Sequence, residues 1–119
     1  MKKMMRILVV LNRKPYDGTD LIWNALRLIL QAQKSGMEVK IFLMNDAVEL
    51  ARVGLKRGEE FDLPGMLVEA IAQGAEARLC KTCLARRGIA EKEVKAEVKI
   101  AVLPDLVEWI AASDRVLTF

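Results

Sequence analysis

The chain has 119 residues, 53% hydrophobic and 29% charged, a length that fits one domain over residues 1–119 and an apolar content that excludes a disordered chain. Lys plus Arg number 19 against 16 for Asp plus Glu, a net charge of +3, and aromatics are 5%; the basic residues are scattered, so no nucleic-acid partner is expected. Histidine is absent, which excludes Ser-His-Asp and Cys-His catalysis, His-ligated metals and a His-based pH switch.

Met1 to Arg6 resembles the charged start of a signal peptide, but the apolar run that follows ends at Leu11 and no small-residue cleavage site comes after it. No stretch is long enough to cross a bilayer. The expectation is a cytoplasmic protein with no membrane partner. In a reducing compartment, its two cysteines are reactive, metal-binding or inert rather than a structural staple. The longest basic clusters, Lys2-Lys3 and Arg86-Arg87, read as solvated charge.

Ile7 to Leu11 is a continuous β-prone run without alternation, as in a strand covered on both faces, and is expected to be the central strand. Lys14-Pro15 and Asp17-Gly18 carry turn chemistry, and Thr19 or Asp20 suits a helix N-cap. Leu21 to Ser35 is predicted helical, with Gly36 at its C-terminal reversal. On that helix Asn24, Arg27, Gln31 and Lys34 form one narrow polar stripe. The remaining apolar arc is too wide for one sheet face, so a second buried contact, most simply a subunit interface with Trp23 at its edge, is inferred.

Glu38 to Met44 reads as a second strand, with Asn45-Asp46 capping a helix through Val53 and Gly54. Lys56 to Asp62 is a polar loop. Pro64 suits the first turn of a helix through Ile71, closed by Gly74. Ala75 to Leu79 is a third strand, Val94 to Val102 a fourth, and Arg115 to Phe119 a last one. Between the final two lies a helix opened by Pro104. Helical stretches between nearly all strands argue an α/β layered fold with a mostly parallel, five-stranded sheet.

In such a sheet, ligands collect beyond the carboxyl ends of the strands. Three segments converge there: Arg13 to Thr19, Asn45-Asp46, and Cys80-Lys81-Thr82-Cys83. With the strand ending at Leu79, Cys80 meets the free amides of a helix start, which favour a thiolate. A thiolate needs no histidine to act as a nucleophile. Lys81, Thr82, Arg86 and Arg87 are candidates for electrostatic support. Asp17, Thr19 and Asp46 are candidate crevice residues, although each is also explained as a turn or cap.

Four readings of the cysteine pair compete. Tetrahedral zinc needs four ligands and would have to borrow them from another copy, so no metal and no cofactor are expected. A thioredoxin-type motif would follow the first strand and face a cis-proline, whereas Pro104 reads as a helix start. Two small buried hydrophobes are the bland alternative. Sulfur transfer is the fourth, with a thiolate taking a sulfane sulfur and holding it as a persulfide.

The stretch from Gly74 to Ile89, GAEARLCKTCLARRGI, resembles the signature of the DsrE/DsrF-like family of sulfur-relay proteins, and the two ends of the chain are similar as well. The resemblance implies a three-layer α/β/α sandwich, Rossmann/flavodoxin-like, that self-associates as a trimer or hexamer and meets a protein sulfur donor or acceptor. The family's sulfur-carrying cysteine stands eight residues before the closing glycine, here Gly88, which implies the persulfide role for Cys80. Cys83 belongs to the CxxC branch, where it can resolve a Cys80 persulfide by forming a disulfide. A non-catalytic oligomeric binding module and a Cys80/Cys83 redox switch remain the alternatives.

Overall fold

The computed structural model describes residues 4–55, 57–58 and 60–119. Lys2-Lys3, and Lys56 and Glu59 of the polar loop, therefore lie outside the described residues. Five strands, β1 (Arg6–Leu11), β2 (Glu38–Leu43), β3 (Glu76–Cys80), β4 (Lys99–Ala101) and β5 (Arg115–Thr118), form one sheet in the order β4-β3-β2-β1-β5. Every neighbouring pair is parallel, so the sheet is wholly rather than mostly parallel.

From β1 to β4 each step moves the same way across the sheet. Right-handed crossovers then put α1 (Leu21–Lys34), α2 (Leu63–Ala72) and α3 (Lys81–Arg86) on one face, and the return from β4 to β5 lays α4 (Leu103–Ala112) over the other. The result is the three-layer α/β/α sandwich. β2, not β1, takes the middle position. β1 misleads because a strand flanked by β2 and β5 and covered above and below is as buried as a central one: Leu8, Val9 and Leu11 are fully enclosed.

The two faces are unequal. Ile7, Val9 and Leu11 of β1 point with Val39, Ile41 and Leu43 of β2 into a large core closed by Ile22, Leu26 and Ile29 of α1 and Leu67 of α2. Burying each such side chain contributes about 1.5–3 kcal/mol. The alternate residues Leu8, Val10 and Phe42 face a small core with Cys80, Ala101, Leu106 and Trp109, roofed by α4 alone.

Local chemistry explains most boundaries. α1 ends where Gly36 turns at φ +84°, a conformation glycine adopts without a Cβ penalty. Asp62 caps α2 by accepting the Gly65 N–H at 3.1 Å. Much of the wide apolar arc of α1 is covered within the monomer: α2 packs beside it, Gln33 Nε2 donates to the Ala70 carbonyl at 2.8 Å, and Trp23 and Leu30 rest on the same core. α2 therefore supplies a second buried contact for α1, while Leu28 remains 40% exposed on the side toward β5.

Two elements are shorter or tighter than expected. Residues Asn45–Ala51 form a 3-10 helix, with buried Ala47/Leu50 and Val48/Ala51 three residues apart, the repeat of that helix. β4 keeps only Lys99–Ala101 of the expected Val94–Val102. A turn from Lys95 to Val98 interrupts it, closed by a 3.1 Å bond from the Val98 N–H to the Lys95 carbonyl, and Val94 instead bridges Arg52.

Candidate functional site

Cys80 is at once the last residue of β3, in register with Ala101 of β4, and the N-cap of α3. Its Sγ accepts the Cys83 N–H at 3.3 Å, so the expected amide is in place. The surroundings act against it. The alternation of β3 sends Leu79 toward the large core and Cys80 toward α4, where it lies 7% exposed among Leu8, Phe42, Leu106 and Trp109.

Burial pushes the Cys80 thiol above its ordinary value of 9.0, and its hydrogen bond with the Cys83 thiol adds to this. The N–H groups of Cys83 and Thr82 pull the other way without reversing it. α3 has only six residues, a short stack of peptide dipoles. The thiolate-favouring environment expected at Cys80 is therefore corrected: desolvation exceeds the amides.

Cys83 stands one turn further along α3, half-buried, and packs against both cores. Its Sγ accepts the Asn45 main-chain N–H at 3.2 Å. Asn45 has φ +52°, the left-handed region that Asn tolerates better than most residues, and so it is not the helix cap expected. Its side chain instead donates to Asn12 Oδ1 at 2.9 Å. Asn12 in turn donates its main-chain N–H to the Phe119 carbonyl at 2.7 Å.

Arg87 completes the arrangement. Its Nε donates to Asp46 at 2.8 Å and its terminal nitrogen to the Cys83 carbonyl at 3.0 Å, tying α3 to the 3-10 helix. Of the candidate residues, Arg87 and Asp46 thus meet at the cysteine pair, as a clamp on its backbone. Lys81, Thr82 and Arg86 are exposed on α3.

Asp17 and Thr19 are joined to each other rather than to the cysteines. Asp17 accepts the Thr19 hydroxyl at 2.6 Å, the Thr19 N–H at 2.9 Å and Arg13 Nε at 2.8 Å. The Thr19 hydroxyl is the largest cause of an Asp17 carboxyl lowered from 3.8 to about 2. Asn12 went unnoticed in the sequence and Asn45 was read only as a cap. The one signal available was an Asn-Asp pair directly after a strand, where a left-handed residue is common.

A groove of about 720 Å³ between α1 and β5 contains neither cysteine. No group of three or more His, Cys, Asp or Glu among the described residues is placed to hold a metal ion. Among the described residues, no helix is long and apolar enough to cross a membrane.

With a parallel sheet and a CxxC pair at the end of β3 established, comparison with known proteins is specific. The sequence profile of the DsrE/DsrF-like family matches residues 5–119. The chain belongs to the DsrE/DsrF-like family. Among its relatives, protein YchN of Escherichia coli is 39% identical over 118 residues, spanning 98% of this chain and 100% of YchN. The uncharacterised protein MK0008 of Methanopyrus kandleri is 39% identical over 113 residues, 95% of this chain and 93% of its own. The crystal structure of the E. coli YchN protein superposes with a TM-score of 0.86 at 40% identity, covering 98% of this chain and 100% of that one. MTH1491 of Methanobacterium thermoautotrophicum, at 14% identity and a TM-score of 0.70 over 97% of this chain and 99% of its own, shares the fold.

Proposed function

We propose that this DsrE/DsrF-like protein carries sulfane sulfur, taking it from a donor as a persulfide on the Cys80–Cys83 pair, holding it at Cys80 and passing it to an acceptor protein. The observation that carries this reading is the pair itself: two free cysteines one helical turn apart at the carboxyl end of a parallel strand, joined by the Cys83 N–H on Cys80 Sγ. A persulfide is more acidic than its parent thiol, so sulfur placed on Cys80 turns the Cys83 and Thr82 amides into partners of a charge.

Incubation with inorganic polysulfide tests this. One added sulfur is expected, mapped to Cys80, removed by dithiothreitol, and absent when both cysteines are serine. A chain that gains no sulfur from polysulfide or from a low-molecular-weight persulfide would end the proposal.

Family membership and the outward face of α4 support self-association as a trimer or hexamer. Leu103 and Val107 are 58% and 59% exposed, and Ile110 continues their stripe at helical spacing. The CxxC spacing also favours a second reading, a reversible Cys80–Cys83 disulfide switch. A defined reduction potential with no sulfur uptake would select it.

A further inference from the structure

We infer that Cys83 is the thiol that meets the sulfur donor, with the Asn45 main-chain N–H as the partner of its developing charge, and that Cys80 is the inner position to which the sulfur then passes. The inference rests on the sulfur-carrier reading and adds a direction to it.

The two sulfurs differ in access and in partners. Cys80 is 7% exposed behind Leu106 and Trp109, with its thiol kept protonated by burial. Cys83 is half-buried at the surface of the same junction. Its Sγ receives an N–H from a different element, across 38 residues of chain. An N–H aimed at that sulfur is a hydrogen-bond partner for the charge it carries when a bond to it breaks.

That N–H is aimed at a conformational cost and is held by two clamps. Asn45 adopts φ +52°, and its side chain is tied to Asn12, which is tied to the Phe119 carbonyl. From the other side, Arg87 binds both the Asp46 carboxylate and the Cys83 carbonyl. Three separate segments thereby fix the distance between one amide and one sulfur.

The chemistry follows in two steps. Cys83 thiolate attacks the outer sulfur of a donor persulfide, R–S–SH. A Cys83–sulfur bond forms, the donor S–S bond breaks, and the electron pair leaves on R–S⁻. The Cys80 thiol then attacks that same outer sulfur, forming Cys80–S–SH, breaking the Cys83 S–S bond and returning the proton to Cys83. The transfer has no net redox change and needs no reagent besides the donor persulfide.

Loading by inorganic polysulfide, quenched at short times and read by peptide mass, tests this in the full chain, Cys80→Ser and Cys83→Ser. Cys80→Ser is expected to gain sulfur on Cys83 at the wild-type rate, and Cys83→Ser to load Cys80 more slowly by about tenfold or more. Rates of iodoacetamide alkylation give an independent reading: Cys83 in Cys80→Ser is expected to react about tenfold faster than Cys80 in Cys83→Ser. Asn45→Val, which resists a positive φ, should slow the loading of Cys83. Normal wild-type uptake with an unslowed Cys83→Ser, or an unslowed Asn45→Val, removes this assignment alone. A wild-type chain that takes no sulfur removes the carrier reading and this assignment with it.

Discussion

Truncating Trp109 to Ala tests how the thin face of the sheet is held and how Cys80 is covered. Trp109 is 5% exposed, meets Phe42 edge-to-face with ring centroids 6.3 Å apart, and lies under Arg78 at 4.2 Å and Lys40 at 5.3 Å. Trp-to-Ala changes in cores cost about 3–5 kcal/mol. The aromatic pair is worth about 0.5–1.5 kcal/mol of additional interaction, and exposed cation–π contacts about 0.5–1 each. Among the described residues only seven buried side chains make up this core, so little can close over the gap, and a loss of about 4 kcal/mol is expected. For a chain of this size that corresponds to a melting point lower by roughly 12–25 °C. Trp109→Phe keeps a ring against Phe42 and should lose about 1–2 kcal/mol. Urea unfolding at fixed chain concentration measures both, and alkylation of Cys80 should quicken in Trp109→Ala as its cover goes. A loss below about 1.5 kcal/mol in Trp109→Ala, with Cys80 no more reactive, would refute the assignment of Trp109 as the principal cover.

Two titrations follow from the same structure. Because burial holds the Cys80 thiol above 9.0 in the folded chain, its contribution to stability is fully present below the unfolded value and disappears as pH rises through the folded one. Cys80→Ala should therefore flatten the alkaline fall of the urea midpoint, and an unaltered slope would contradict the burial. Asp17, lowered from 3.8 to about 2 by Thr19 and Arg13, stabilises the fold above 3.8 and loses that effect as pH falls toward 2. Asp17→Asn should reduce the pH dependence in that window, where Glu93 also titrates below its ordinary value, as read by thermal melts from pH 5 to pH 2, and a slope equal to the parent's would show that the loop does not depend on this carboxylate.

Those elements whose cause is local could be read from residues alone. The Ile7–Leu11 run, the Gly36 reversal and the Pro64 and Pro104 helix starts carry their structure in their own side chains, and the GAEARLCKTCLARRGI stretch locates the cysteines at a strand-to-helix junction. What depended on pairing was hidden. Nothing within β1 says that β5 will flank it and leave β2 in the middle. The side of the sheet that Cys80 faces turns on a single residue, since a strand that ended at Leu79 would leave the next side chain free. Its burial also needs residues 103–112, which are remote in sequence and arrive as a roof. The Asn12–Asn45–Cys83 chain is likewise a product of three segments meeting, and each residue alone looks like an ordinary loop or helix position.

The pairing of β1 with β5 has a consequence for how the protein is made. β1 and β2 are finished by Leu43, but β5 does not begin until Arg115. At ~5–20 residues per second, the ribosome takes several seconds to supply it. During that interval the outer edge of β1, a run of Ile, Leu and Val with unsatisfied backbone groups, is open to any strand that reaches it. Nascent chains stalled before Arg115 are therefore the ones most prone to pair with their neighbours, and emergence of the last strand is the event that ends the danger.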